Sequence, residues 1–290
     1  MQSDERTYAA SAGANLPMWV WQPPKKVPGT FSERPAALVY LHGIQSHSGW
    51  YEASSRRLAE AGVAVYQIER RGSGRDTAHE RGHVDRAETW LEDVARAAEL
   101  ARDETGAERV HLMGVSWGGK LALACAAHRP DLYRSLILSA PGIVPIVDVV
   151  LVIKVRVAKC LATGRELERF PIPLDDPRLF TENPGRVRYI AEDDLSLRDL
   201  TARFMYESRR LDRMARAAAA TVRVPTLLLL AERDRIIHNE ATRSLVYAMA
   251  ARRRVITYPG AHHTLEFEPD PEPYFADLVA WIDRVEREMP

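Results

Sequence analysis

The chain is predicted to fold as an α/β protein with a mostly parallel sheet, helices on both faces and an inserted cap. Three observations point there. Short apolar β-rich runs alternate with longer helical patterns; the alternation lapses once, between residues 141 and 224; and 290 residues are enough for one sizeable core. The domain reading that follows is a core of 1–140 and 225–290 with a cap of 141–224.

Taken in order, residues 7–10 and 17–22 flank Ser11-Ala12-Gly13-Ala14-Asn15 and read as an antiparallel hairpin on the sheet edge. The Pro-rich stretch 23–35 reads as a connecting loop. Runs at 37–42, 63–69, 109–115, 135–139, 226–231 and 254–258 have the apolar, β-rich character of buried parallel strands. Between and after them, 52–61, 85–104, 117–128, 239–251 and 273–288 repeat apolar residues at spacings of three and four, which marks the covering helices. Right-handed crossovers follow, and ligands of such sheets bind at the carboxyl ends of the strands. Inside 141–224 stand an apolar helix candidate over 143–157, a Pro- and Asp-rich turn at 171–177 and a charged helical stretch over 196–220. Long insertions in compact domains are usually functional, so a cap over the strand ends is the economical reading.

Forty basic and forty acidic side chains cancel, so no overall field draws the protein to nucleic acid or an anionic membrane, and a small molecule is the expected partner. The apolar run 143–161 is broken by Asp148, Lys154, Arg156 and Lys159, which argues against stable membrane insertion. Cys125 and Cys160 lack the spacing of a disulfide scaffold or a zinc site, and the first residues are polar with no apolar leader, so a cytoplasmic protein is expected. Oligomeric state is not legible.

Gly114-Val115-Ser116-Trp117-Gly118 follows a strand and opens a helix, the context a Gly-x-Ser-x-Gly nucleophile elbow requires. Such a turn strains the serine backbone and brings strand and helix so close that side chains at the glycine positions would clash. A serine hydroxyl needs a base within reach, itself oriented by an acid, in the order Ser, Asp, His. Asp234, just past the run 226–231, takes the acid position ahead of Glu232 and of Asp148. His262 and His263 both follow the last strand, and two adjacent histidines cannot both point at one serine. The backbone amides of Trp117 and Ile44, the latter after Leu41-His42-Gly43, supply the expected oxyanion hole, with His42 bonded within its loop. Arg70-Arg71-Gly72-Ser73-Gly74 lacks the rest of a dinucleotide fingerprint and reads as a turn carrying solvated arginines. His79 and His83 share a helical spacing without useful partners, so no metal is expected, and no cofactor is needed by this chemistry.

Two strings resemble a known family. Leu41-His42-Gly43-Ile44-Gln45-Ser46-His47-Ser48-Gly49-Trp50-Tyr51 is similar to the His-Gly-x-x-x-His-Ser-x-x-Tyr segment of the monoacylglycerol lipase and lysophospholipase-like (serine aminopeptidase S33-type) branch of the α/β-hydrolase fold. Gly260-Ala261-His262-His263-Thr264-Leu265-Glu266 resembles its catalytic-histidine segment. The resemblance implies His263 as general base, Ser116 as nucleophile, Asp234 as acid, and a carboxylic ester of a medium or long acyl chain as substrate, without cofactor. Trp117 after the serine also resembles proline iminopeptidases, although their Gly-Gly-Pro-Gly loop is absent. An amidase or aminopeptidase, an acyltransferase, and a ligand-binding protein that uses the pocket without catalysis remain alternatives on the same residues.

Overall fold

The computed structural model describes residues 2–24 and 36–288. Its centre is an eight-stranded sheet built on the apolar runs. β1 (Gln2–Ala9) and β2 (Asn15–Gln22) form the edge hairpin, in register from Gln2 opposite Gln22 to Ala9 opposite Asn15, and β2 runs antiparallel to β4 (Val63–Ile68). The remaining pairs are parallel: β4 with β3 (Ala36–Leu41), β3 with β5 (Val110–Val115), β5 with β6 (Tyr133–Ser139), β6 with β9 (Thr226–Ala231), and β9 with β10 (Arg253–Tyr258). Strands β3, β4, β5 and β9 are buried at every position, which is why they read as continuous apolar runs and not as alternating ones. The hairpin starts earlier than the expected 7–10 because backbone pairing carries the polar residues Ser3 to Arg6 onto the sheet. The expected loop over 23–35 lies, from residue 25 on, outside the described residues.

The covering helices are α1 (Glu52–Glu60), α2 (Ala87–Thr105), α3 (Trp117–His128), α7 (Asn239–Ala248) and α8 (Glu272–Glu288). Four of them pack in pairs, α1 with α8 and α2 with α3, while α7 lies against β9 and β10. Gly106, at φ +71°, closes α2 in the left-handed conformation that a side chain resists.

Between β6 and β9 lie α4 (Leu151–Ala162), β7 (Arg169–Pro171), α5 (Pro184–Glu192), β8 (Asp199–Thr201) and α6 (Ala202–Ala218), with β7 and β8 forming a small antiparallel pair. Two expectations are corrected here. The apolar run 143–157 is not one helix: Pro145 bridges Ile237, and the amides of Ile146 and Val147 donate to Ile236 O, so the chain turns along the loop after β9 and becomes helical only at Leu151. The stretch 196–220 is likewise divided, because Thr201 caps α6 by accepting from Phe204 N and the residues before it pair with β7. α6 lies against α3 and α4, so this segment packs on the helix that follows Ser116. Among the described residues no helix is long and apolar enough to cross a membrane.

Candidate active site

Ser116 sits between β5 and α3 with φ +53° and ψ −122°, a conformation a non-glycine residue adopts only under constraint. The constraint comes from close packing around the turn. A Cβ on Gly114 would fall 2.2 Å from Gly118 O, and one on Gly118 would fall 2.5 Å from the carbonyls of Leu41 and His42. The serine is then fixed on both sides: its amide donates to Ser139 O (3.0 Å), and its carbonyl accepts from Gly119 N (2.9 Å) and Gly142 N (2.7 Å).

Ser116 Oγ lies 2.8 Å from His263 Nε2, and His263 Nδ1 lies 2.7 Å from Asp234 Oδ2. The side chains of His263 and Asp234 are buried, and the second carboxylate oxygen accepts from the amides of Ile236 (2.8 Å) and Ile237 (3.0 Å). A carboxylate accepts only, so Nδ1 carries the imidazole proton and Nε2 is left to accept from the serine hydroxyl. That chain can withdraw a proton from Ser116 as its oxygen bonds to carbon.

The rivals are occupied elsewhere. His262 Nδ1 faces Glu268 (3.1 Å), Glu232 accepts from Gly260 N (2.7 Å), and Asp148 is bound to Lys154 and Arg209 (both 2.7 Å). His79 pairs with Asp76 and His83 with Thr201. Among the described residues no group of three metal-ligating side chains converges.

Ile44 and Trp117 border the same cavity as Ser116, and the backbone amide of neither donates to a protein acceptor among the described residues. The Gly43 carbonyl, at the other end of the Ile44 peptide, receives two donors: His42 Nδ1 (2.8 Å) and Arg70 Nη1 (2.9 Å). His42 Nε2 accepts from Arg70 N (3.0 Å), and burial, together with the Arg70 charge, pushes its pKa well below the usual imidazole value. The reading of Arg70 as a solvated turn residue is therefore corrected. Its guanidinium is buried, also donates to Ile44 O (2.8 Å), and lies 4.6 Å from the centre of the Trp117 ring; burial lowers its pKa to about 9. Nothing in its charge or spacing announces this, because the acceptors are backbone carbonyls of a distant loop.

The cavity in front of Ser116 has a volume of about 760 Å³. Apart from Ile44, Ser116, Trp117, Lys120 and Ile236, its lining comes from 141–224. Val157, Leu161, Ile172, Leu174 and Met205 give it apolar walls, while its carboxylates are matched: Asp148 by Lys154 and Arg209, Glu166 by Arg203, Asp212 by Lys120. Asp193, at the end of α5, joins this segment to the loop carrying Ile44. It accepts from Trp50 Nε1 (2.7 Å) and Ser196 Oγ (2.7 Å) and meets His47 Nε2 (3.1 Å).

Comparison with known proteins agrees with this architecture. The chain is 27% identical over 280 residues to the monoacylglycerol lipase of Mycolicibacterium smegmatis, covering 96% of each chain. It is 25% identical over 256 residues to the monoglyceride lipase of Homo sapiens, covering 86% of this chain and 83% of that one. The crystal structure of the Paleococcus ferrophilus monoacylglycerol lipase superposes with a TM-score of 0.79 at 24% identity, covering 94% of this chain and all of that one. The family model described as serine aminopeptidase, S33, matches residues 32–270. The chain belongs to that family, on the monoacylglycerol-lipase-like branch of the α/β-hydrolases.

Proposed function

We propose that the protein hydrolyses a carboxylic ester through an acyl-enzyme on Ser116. The observation that carries this reading is the hydrogen-bonded series from Ser116 through His263 to Asp234 at the edge of a large apolar cavity. Ser116 Oγ attacks the ester carbonyl carbon while His263 Nε2 takes its proton. The negative charge on the carbonyl oxygen is met by the amides of Ile44 and Trp117, each worth roughly 3 kcal/mol in comparable sites. As the tetrahedral adduct collapses, the carbon–oxygen bond to the alcohol breaks and His263 returns the proton to the departing oxygen. Water then attacks the acyl-enzyme in the same way and releases the acid. Asp234 keeps the imidazole in one tautomer and balances its charge when protonated.

The segment 141–224 acts as a cap whose apolar walls receive the acyl chain, and a monoacylglycerol-like ester of medium or long chain is the expected substrate. An aminopeptidase would need a carboxylate free to hold an ammonium group. The three acidic residues of the cavity lining are already paired, Glu166 with Arg203, Asp148 with Lys154 and Arg209, and Asp212 with Lys120. Cys125 and Cys160, both buried and unpaired, fit a reducing compartment, and a cytoplasmic location is part of the proposal.

Turnover of a monoacylglycerol and of p-nitrophenyl acyl esters, set against aminoacyl arylamides, tests the substrate class. Esters are expected to be cleaved and arylamides not, with Ser116→Ala losing roughly 10⁴-fold or more in kcat. Turnover confined to arylamides, or a wild type that reacts with a fluorophosphonate no faster than Ser116→Ala, would overturn it.

A further inference from the structure

The cavity wall beside the nucleophile carries a polar group that the hydrolytic steps at Ser116 do not employ. Lys120 lies about one helical turn beyond Ser116 on α3, and helical side chains lean toward the N-terminus, so its ammonium is brought back toward the reacting end. There it donates to Asp212 Oδ1 (2.5 Å) and to Ser208 Oγ (3.0 Å). The indole N–H of Trp117 donates to the same hydroxyl (2.9 Å). Lys120, Ser208 and Asp212 are 6%, 9% and 9% exposed, and all three border the cavity.

Counting donors shows what is missing. An ammonium and an indole N–H can only donate, so both lone pairs of the Ser208 oxygen are filled and its own proton must be given away. Among the described residues that proton has no acceptor. Lys120 has three protons and two oxygen acceptors. Ser208 and Lys120, whose ammonium also lies 5.5 Å from the centre of the Trp117 ring, therefore each keep a proton without an oxygen acceptor at a wall shared by Val157, Leu161, Leu174 and Met205 and by the ion pairs of Asp148 and Glu166, and a buried donor left without an acceptor is costly. The acceptor has to enter with whatever fills the cavity. Its charge is also constrained. Lys120 and Arg209 are each already paired with carboxylates, Lys120 with Asp212 (2.5 Å) and Arg209 with Asp148 (2.7 Å) and Asp212 (3.5 Å), so a neutral oxygen can meet the donors without disturbing these pairs, whereas an incoming carboxylate would compete with Asp148 and Asp212 for their cations.

We propose that Lys120 and Ser208 form an oxygen-recognising subsite, so that the preferred ester carries a neutral ether, keto or hydroxyl oxygen on its buried chain, a few bonds from the scissile carbonyl. This rests on the ester-hydrolase reading above. The test uses p-nitrophenyl esters of isomeric oxa-octanoic acids, in which one ether oxygen replaces successive methylenes. The isomers are equally polar, so only the position of the acceptor changes. The octanoate and the half-ester of suberic acid complete the set, and each kcat/KM is normalised to the ester's rate with hydroxide.

One oxa position is expected to exceed the other isomers by about tenfold in kcat/KM, the scale of one buried hydrogen bond, chiefly through KM. That ranking should flatten in Ser208→Ala and in the double variant Lys120→Met, Asp212→Leu, which removes both charges together and leaves neither buried alone. The ranking is a ratio, so a general loss of activity in a variant cancels, and fluorophosphonate labelling verifies that each variant is folded. A flat ranking in the wild type overturns the subsite even if no variant folds. A ranking unchanged in both variants overturns it too, as does a preference for the suberate half-ester, which would mark an anion site. Those outcomes leave the ester reading intact, since octanoate turnover is read in the same plates; its absence, with no fluorophosphonate labelling, is the separate failure of that reading.

Discussion

Gly43 contributes no side chain, yet its carbonyl accepts from His42 and Arg70, and the other end of the same peptide is the Ile44 amide, the donor proposed above for the oxyanion. A cation bonded to the carbonyl polarises the peptide and fixes its plane, which strengthens the N–H as a donor where an oxyanion forms. Arg70→Met is therefore expected to lower kcat on a p-nitrophenyl ester roughly ten- to a hundredfold, with a smaller change in KM, and Arg70→Lys to fall between because it loses the second contact, to Ile44 O. Steady-state kinetics of both variants read this directly. For the base, His263→Ala should cost roughly 10⁴-fold or more in kcat and His262→Ala less than about tenfold, since the latter ring is turned to Glu268; the reverse order would transfer the role to His262. The pair illustrates what a sequence conveys about a site. Order along the chain brings a serine, an acid and a histidine to strand ends, but which of two neighbouring rings turns inward depends on a backbone bend between them. Arg70, Lys120 and Ser208 have no local signature at all, because their partners are distant in sequence.

The turn from β5 into α3 depends on glycines at positions where any Cβ meets main chain. Gly118→Ala places a methyl 2.5 Å from two carbonyls and should destabilise by about 1–3 kcal/mol, read as a lower urea midpoint with an unchanged slope. The helix and strand periods predict the elements of the core because buried strands and half-buried helices both impose a repeat. Within 141–224 the repeat gives way to tertiary contacts. Leu151 to Val155 is apolar yet mostly exposed, so its pattern records no burial, and the non-helical residues before it are tied to Ile236, which lies far along the chain. Helix α5 did carry a readable start, Asn183 accepting from Gly185 N with Pro184 in the first turn, but the segment is too short and charged to show a clear apolar face. At its far end, hydrogen bonds from His47, Trp50 and Ser196 outweigh burial and hold the Asp193 carboxyl well below the usual range. Its contribution to stability is therefore present above the ordinary aspartate pKa and lost as pH falls below it. Asp193→Ala should raise KM and speed proteolysis within 141–224, as limited digestion would reveal, because it releases that segment from the loop bearing Ile44.

For the molecule as a whole, the pH dependence of folding has an identifiable source in Glu266. It is buried against α1, accepts from Ser54 N (3.0 Å) and the Ser54 hydroxyl, and has Tyr40, Tyr51 and Tyr274 as neighbours; burial raises its pKa from 4.5 to about 7. A folded-state value above the unfolded one means the unfolded chain releases this proton first. The stability it contributes is complete below about pH 4.5 and is lost as pH rises to about 7, by roughly 3 kcal/mol over that window. Urea unfolding at intervals across the window should show a falling free energy in the wild type and a flatter course in Glu266→Gln. The order β1-β2-β4-β3-β5-β6-β9-β10 has a separate consequence. The excursion that forms most of the cavity leaves from β6 and returns to β9, and these two strands are hydrogen-bonded neighbours, Leu136 opposite Thr226. Its ends are thus held together by the sheet whatever its contents, and doubling the length of such a loop costs only about 0.6 kcal/mol in closure. Evolution can exchange the chamber wholesale between relatives while the register beneath it, and the reaction it supports, pass through unaltered.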